Sequence, residues 1–178
     1  MSGIHASLRD RLSPVVQVIM DAGGEVVGRT KLQKTAYLLT LAGFENRFRF
    51  GYKHYGPFSE DLADAADLAT AFELISERQQ EASWGGTYSI YSAPADEPSA
   101  HPSRVRLARE AAKSDAILLE LAATAAYLFQ EGKRQPWAET ARRKPDKAAD
   151  NRLDRAKGLY AQLRAASDNA LPDIVGCE

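Results

Sequence analysis

The sequence has few of the residues that hold small proteins together covalently or through metals. It contains one cysteine, Cys177, among 178 residues, so an internal disulfide framework is impossible, and this cysteine usage is typical of a reducing compartment. The three histidines, His5, His54 and His101, lie far apart and have no second cysteine to join them, which argues against a structural zinc site. We therefore expect neither a metal ion nor another cofactor.

The chain also lacks a long apolar run. The longest stretch, Ala116 to Phe129, is interrupted by Glu120 and is too short to span a bilayer. The N-terminal residues show no apolar core followed by a small-residue cleavage site, so we expect no signal peptide. With 44% hydrophobic residues and a formal net charge of −1, the composition predicts a soluble, cytoplasmic protein of about one domain.

The near-zero net charge hides segregated blocks. Residues 1–58 carry 8 basic and 4 acidic groups, residues 59–100 carry 1 basic and 9 acidic groups, and residues 101–166 carry 14 basic and 8 acidic groups. This pattern predicts acidic and basic faces on one small body. One hypothesis is a homo-oligomer held through the opposed segments, whose mass would fall towards that of the monomer as salt rises.

Hydrophobic periodicity and turn residues predict a mainly helical α+β protein. Residues 1–92 are expected to form a winged-helix-like core with a small antiparallel hairpin, and residues 84–87 are its wing tip. A proline-rich connecting loop, 93–103, leads to packing helices over 104–168 and a tail over 169–178. The expected helices cover about 5–21, 30–43, 59–77, 114–130, a short segment from 136 to about 145, and 150–166, and the expected strands cover 48–55, 79–83 and 87–91.

The motifs of an enzyme are missing. His54 lies five residues before Ser59 across a Gly-Pro turn, but no nucleophile elbow, oxyanion motif or Gly-rich phosphate loop accompanies this pair. The paired carboxylates that begin at Glu60 follow helical spacing, which is typical of a solvated helix face. We therefore expect no enzymatic activity.

DNA binding is the alternative function. The third helix of a winged helix usually enters the major groove, but here its six charged residues are all acidic. Those residues are Glu60, Asp61, Asp64, Asp67, Glu73 and Glu77. A DNA-binding regulator would have to use a basic C-terminal surface, for which the candidates are Arg142, Arg143, Lys144, Lys147, Arg152 and Arg155.

Protein recognition is the leading interpretation. Lys31 and Lys34 share one side of the second helix, and Gln33 and Tyr37 share the neighbouring side. Together with the strand Tyr52–Tyr55 they would form an aromatic, basic patch suited to a protein partner. The alternative is that the tyrosines are half-buried, with their hydroxyls hydrogen-bonded across the sheet.

Several motifs resemble those of one family. Lys31-Leu32-Gln33-Lys34 with Tyr37, followed by His54-Tyr55-Gly56-Pro57-Phe58-Ser59, resembles the YwgA-like proteins and the related Panacea (SocA-like antitoxin) domain. Leu119–Ala122, Pro136-Trp137 and Arg142–Pro145 are also similar to YwgA-like sequences, and the matches span roughly residues 24–166. The resemblance implies a toxin-neutralising or regulatory partner protein, and it carries over no catalytic residue.

We therefore predict a non-enzymatic protein-recognition module, of the antitoxin type or a regulatory partner of another bacterial protein. The expected partner is a toxin or regulated protein; DNA is disfavoured by the acidic third helix, and no membrane is involved. The expected partner-binding residues are Lys31, Gln33, Lys34, Tyr37, Tyr52, His54, Tyr55, Gly56 and Pro57.

Overall fold

The computed structural model describes residues 2–94 and 97–174, with side chains from residue 7 onward. Cys177, the His5 side chain, two residues of the connecting loop and the end of the tail lie outside the described residues. The helices within these ranges are α1 (Ser2–Asp21), α2 (Arg29–Leu41), α3 (Glu60–Ala71), α4 (Pro102–Lys113), α5 (Ala116–Gln130), α6 (Pro136–Arg143), α7 (Pro145–Ala148) and α8 (Arg152–Ala166). The strands are β1 (Glu25–Val27), β2 (Gly51–Lys53), β3 (Gly56–Phe58), β4 (Ser76–Glu81) and β5 (Thr87–Ser92).

The strands form two small antiparallel sheets, so the expected α+β class with mainly helical content is confirmed. The larger sheet has the order β1-β5-β4, with Val26 opposite Tyr91 and Gln79 opposite Ser89. The hairpin between β4 and β5 turns at Gly85-Gly86 as predicted, and the amide of Ala82 donates to the carbonyl of Gly86 at 2.7 Å. The smaller sheet is the hairpin β2-β3.

The predicted extent of the third helix was wrong. Its N-terminus is correct, because the Ser59 hydroxyl accepts a hydrogen bond from the Leu62 amide at 3.2 Å and caps α3. The helix ends at Ala71, and Glu73 takes a left-handed conformation with φ 57°. The helical spacing of apolar residues extends to Ile75, which is buried although it lies outside the helix, and this made the predicted helix too long.

Two other predicted boundaries were also wrong. Only Gly51–Lys53 of the expected strand 48–55 forms a strand, and Gly56-Pro57, expected to be a turn, belongs to the partner strand.

The sequence interpretation also missed α4, which occupies Pro102–Lys113, because its apolar positions are mostly alanines among charged residues. The chain between the two halves is therefore shorter than the predicted loop 93–103.

Helix α5 lies at the centre of the core. Leu119, Leu121, Ala122 and Ala125 on this helix are fully buried, and the helix packs against α2, α6 and α8. Helices α4 and α5 both contact α2, and α5 also contacts β3. None of the helices in the described part of the chain is long and apolar enough to cross a membrane.

A buried ion network joins the first helix to α4. The Arg104 Nε lies 2.5 Å from the Asp21 carboxylate, which is fully buried, and Arg104 also donates to the Phe44 carbonyl. The Asp21 carboxylate accepts a further bond from the amide of Ser99 at 2.6 Å. These bonds hold the connecting segment and α4 against the first helix without leaving the carboxylate unpaired.

Candidate functional site

Gln33 fastens the start of α3 to α2. Its amide nitrogen donates to the Ser59 carbonyl at 2.9 Å, and its amide oxygen accepts from the Ser59 backbone amide at 2.8 Å. Both groups are buried, so this reciprocal pair satisfies two backbone groups that water cannot reach. Gln33 faces the interior and therefore positions the motif rather than contacting a partner.

Lys34 is buried under the strand that follows the Tyr52–Tyr55 segment. Its side chain is 1% exposed, and its ammonium donates to the Pro57 carbonyl at 2.7 Å. Burial lowers the pKa of Lys34 to about 8, although the nearby Glu120 carboxylate opposes this shift. Lys34 therefore supports the β2-β3 hairpin from below and is not a surface cation.

Glu120 is the centre of a buried charge cluster that the sequence interpretation missed. Its carboxylate accepts bonds from the Lys144 ammonium at 2.7 Å and from the Lys147 ammonium at 2.7 and 2.8 Å. Lys144 also donates to the His54 carbonyl at 2.8 Å, so the cluster reaches the β2-β3 turn. Lys34, Glu120, Lys144 and Lys147 are called the lysine cluster below.

Three lysines around one carboxylate leave an excess of positive charge beneath the hairpin. Lys144 and Glu120 each expose 4% of the side chain, and Lys147 exposes 33%. A signal for this cluster was present in the sequence, since Glu120 is the only charged residue inside the apolar run of α5. A carboxylate in such a position is buried and has to be paired.

Tyr37 belongs to the aromatic support of the same hairpin. It is 2% exposed, its hydroxyl donates to the Gln130 side-chain oxygen at 3.1 Å, and burial raises its pKa. Its ring lies 5.2 Å from Phe50 and 6.0 Å from Tyr127, and Tyr127 in turn lies 5.9 Å from the Tyr52 ring. Tyr37 is thus a core residue: it is more deeply buried than the half-buried tyrosines of the alternative interpretation, and its hydroxyl bonds a residue of α5 and not one across the sheet.

Gly56 allows the hairpin to lie directly on α5. Its φ is +87°, and a Cβ at this position would lie 2.4 Å from the Thr124 hydroxyl oxygen. Pro57 is also buried. Five of the predicted partner-binding residues are therefore buried and cannot contact a partner in this conformation. They support the exposed side chains of the hairpin, and they are Gln33, Lys34, Tyr37, Gly56 and Pro57.

The exposed residues form one aromatic and basic surface. The Arg143 guanidinium lies 4.8 Å from the centre of the Tyr52 ring, and the Lys147 ammonium lies 4.8 Å from the centre of the Tyr55 ring. Tyr55 is 60% exposed, and His54 is exposed beside it. We call Tyr52, His54, Tyr55, Arg143 and Lys147 the hairpin face. An open depression of about 790 Å³ adjoins it, lined by Tyr52, Lys53, His54 and Arg143.

The hairpin face unites residues from two separate sequence predictions. Tyr52, His54 and Tyr55 come from the partner-binding set, and Arg143 and Lys147 come from the basic C-terminal set. Lys31 lies elsewhere, since its ammonium donates to the Ala112 carbonyl at 3.2 Å on α4 and lines a different groove. The tertiary structure thus separates Lys31 from the rest of the predicted patch. It places Arg143 and Lys147 beside the exposed tyrosines of that patch.

The remaining basic candidates are mostly engaged with carboxylates. Arg142 and Arg143 each bond the Glu139 carboxylate at 2.7 Å, and these bonds lower the pKa of Glu139 to about 2. Arg152 lies 3.3 Å from Asp150. Within the described residues Arg155 is exposed with no ion pair, and Lys144 is buried in the lysine cluster.

The buried Lys34 predicts a specific pH dependence. Its pKa is about 8 in the folded protein and near 10.5 in the unfolded chain, so the unfolded state binds more protons between these values. We expect the free energy of unfolding to rise by about 1–2 kcal/mol between pH 8 and pH 9.5, below the range where tyrosines titrate. Urea unfolding at both pH values checks this, and the rise should be absent in Lys34→Met. An identical rise in that variant would contradict the assignment.

The geometry also bears on the enzymatic candidates. Ser59 is buried and its hydroxyl caps α3, so it is engaged as a structural acceptor next to the hairpin. Across the described ranges, no group of three or more histidine, cysteine or acidic residues is placed to hold a metal ion.

Comparisons with protein-family models, with curated proteins and with solved structures found no match for this chain.

Proposed function

We propose that this protein is a recognition module that binds an acidic segment of a partner protein through the hairpin face. The observation that carries the proposal is the pair of exposed tyrosines, each with a cation over its ring, on a turn fixed from below by buried polar bonds. Tyrosine and arginine are the residues most often found in the energetic centres of protein interfaces. A rigid turn also loses little conformational entropy on binding.

The charge around the hairpin face supports an acidic partner. The lysine cluster sets three ammonium groups against one carboxylate directly beneath the turn. Cations that are not fully compensated attract carboxylates, accelerate encounter and select against basic partners. The resemblance to YwgA-like and Panacea proteins adds the narrower proposal of an antitoxin-like or regulatory role.

The arrangement of the N-terminal elements supports a winged-helix core over residues 1–92. The order is α1-β1-α2-β2-β3-α3-β4-β5, with the sheet order β1-β5-β4. If the β2-β3 hairpin is taken as an insertion between α2 and α3, α3 holds the position of the recognition helix. Helix α3 has no lysine or arginine, so docking of that helix on DNA is electrostatically unfavourable. The absence of basic residues from α3 is consistent with a protein that recognises its partner through the hairpin face and does not bind DNA through α3.

The test is an affinity pull-down from the native cell extract, treated with nuclease and analysed by mass spectrometry. We expect the wild-type protein to retain a stoichiometric partner that the double variant Tyr55→Ala, Arg143→Ala loses. Tyr55 is 60% exposed, and the Arg143 side chain contacts the surface residues Glu139 and Tyr52, so neither residue belongs to the hydrophobic core. The matched control is Trp84→Ala, which removes another exposed aromatic residue on the β4-β5 turn.

Two outcomes would contradict the proposal. Equal loss of the partner in Trp84→Ala would place the interface elsewhere. Recovery of nucleic acid alone, weakened by salt and by charge reversal at Arg142, Arg143 and Arg155, would favour the DNA-binding regulator instead.

A further inference from the structure

The exposed side of helix α3 forms a second surface. It shares no residue with the hairpin face and carries negative instead of positive charge. Leu68 is 45% exposed and Phe72 is 49% exposed, and the two lie one helical turn apart on the outer side of the helix. Within the described residues, both stand outside the hydrophobic core. Two large apolar side chains next to each other in solvent form an exposed apolar surface that a partner could cover.

The apolar pair is surrounded by carboxylates without counter-ions. Asp64, Asp67 and Glu73 are exposed and form no ion pair with any described residue. The two acidic residues of the first turn differ, because Glu60 pairs with Lys53 and Asp61 lies 3.1 Å from Arg49. The uncompensated negative charge is therefore concentrated beside Leu68 and Phe72. We call Asp64, Asp67, Leu68 and Phe72 the α3 face.

A concave surface begins where α3 ends. It has a volume of about 470 Å³ and is lined partly by the apolar side chains of Leu74, Ile75 and Ala93. Glu73 borders it with an exposed carboxylate that forms no ion pair with any described residue, whereas Glu77, which also borders it, is paired with Arg29 at 3.4 Å. The apolar strip of the helix is thus followed by a concavity of the same mixed character, apolar within and acidic at the edge.

We propose that the α3 face docks a basic, amphipathic segment of a partner protein. The apolar side chains of such a segment would cover Leu68 and Phe72, and its lysines or arginines would meet Asp64, Asp67 and Glu73. Nucleic acid is unsuitable because its phosphates would face these carboxylates. A second copy of the chain is a poorer match, since most of the basic C-terminal candidates are already engaged: Arg142 and Arg143 bond Glu139, Arg152 pairs with Asp150, and Lys144 is buried. Among those candidates, Arg155 alone is exposed with no ion pair to a described residue.

This inference does not rest on the hairpin face, which has different residues and the opposite charge. The protein would then have two docking surfaces, one for an acidic segment and one for a basic segment. Opposite charges allow the two partners to be told apart, because each surface repels the partner of the other.

The probe for the test is a fluorescein-labelled helical peptide of leucine, lysine and alanine, about five turns long, with leucines on one side. Its control is the same peptide with glutamine in place of lysine, which removes the positive charge without creating an acidic ligand for the hairpin face. Fluorescence anisotropy at low salt should detect binding of the basic peptide only, and binding should weaken as salt rises. We expect Leu68→Ser, Phe72→Ser to weaken binding by about tenfold or more.

A second pair of variants separates charge from apolar contact. Asp64→Asn, Asp67→Asn should reduce both the affinity and its salt dependence, whereas the matched exposed pair Glu131→Gln, Asp154→Asn should change neither. Tyr55→Ala should bind the basic peptide like the wild type, so this test and that of the hairpin face fail independently.

Three results would overturn the inference. They are failure of the basic peptide to bind the wild-type protein, equal binding by the Leu68→Ser, Phe72→Ser variant, and equal binding of the glutamine peptide. Sedimentation showing an oligomer of the 19.5 kDa chain that dissociates in that variant would assign the α3 face to a second copy instead.

Discussion

Replacing Glu120 by glutamine is expected to destabilise the fold by about 3–5 kcal/mol. Glutamine keeps the shape of the side chain but removes the only negative charge of the lysine cluster. Lys144, which exposes 4% of its side chain, and Lys34, which exposes 1% of its residue surface, would then be buried cations without a counter-ion. Urea unfolding of the purified protein at pH 7 measures the change.

A matched control isolates the effect of burial. Glu110→Gln removes an equivalent carboxylate from an exposed pair with Lys113 and should cost no more than about 1 kcal/mol. Adding Lys34→Met to Glu120→Gln should restore part of the lost stability, because one of the three unpaired cations is removed. Equal, small losses in Glu120→Gln and Glu110→Gln would mean that the cluster contributes little.

Replacing Gly56 by alanine is expected to cost about 2–4 kcal/mol, from backbone strain and a steric clash together. The backbone has a φ of +87°, and the new Cβ would lie 2.4 Å from the Thr124 hydroxyl on a central helix. Relief of the clash requires the β2-β3 hairpin to lift from α5. We therefore expect weaker partner binding as well as a lower melting temperature, the latter measured by thermal unfolding.

Two variants divide this cost into its parts. Gly132→Ala places alanine at a φ of +81° with no atom within 4 Å of the new Cβ, so it should cost only about 1–2 kcal/mol of backbone strain. Thr124→Ala removes a hydroxyl that has no hydrogen-bond partner among the described residues, and combined with Gly56→Ala it should relieve the clash. If Gly132→Ala costs as much as Gly56→Ala, contact with Thr124 is unimportant.

The sequence predicted the elements whose signals are local. The Ser59 cap, the Gly85-Gly86 hairpin and the helix ending near Ala166 follow from side chains within a few residues of each feature. The errors fell where the pattern was ambiguous. Phe72 and Ile75 continued the helical period past the true end of α3, and the alanine-rich α4 offered no strong apolar stripe.

The candidate site was predictable only in part. The residues of the Lys-Leu-Gln-Lys and Tyr-Gly-Pro motifs were singled out, but whether they were exposed depended on contacts between distant segments. Gln33 meets Ser59, and Lys34 meets Pro57, across more than twenty residues of sequence. Glu120 was visible only as an interruption of an apolar run, because its lysine neighbours lie on α2, on α7 and at the junction of α6 and α7.

The sequence by itself determined the mainly helical α+β class, the segregation of charge and the acidic character of α3, because these depend on composition and on short-range periodicity. Only the tertiary structure decided which motif residues are buried and which side chains share a surface. Packing of α6 and α7 against the β2-β3 hairpin brings Arg143 and Lys147 over Tyr52 and Tyr55. Contacts separated by some ninety residues leave no periodic trace in the sequence, so they follow from packing alone.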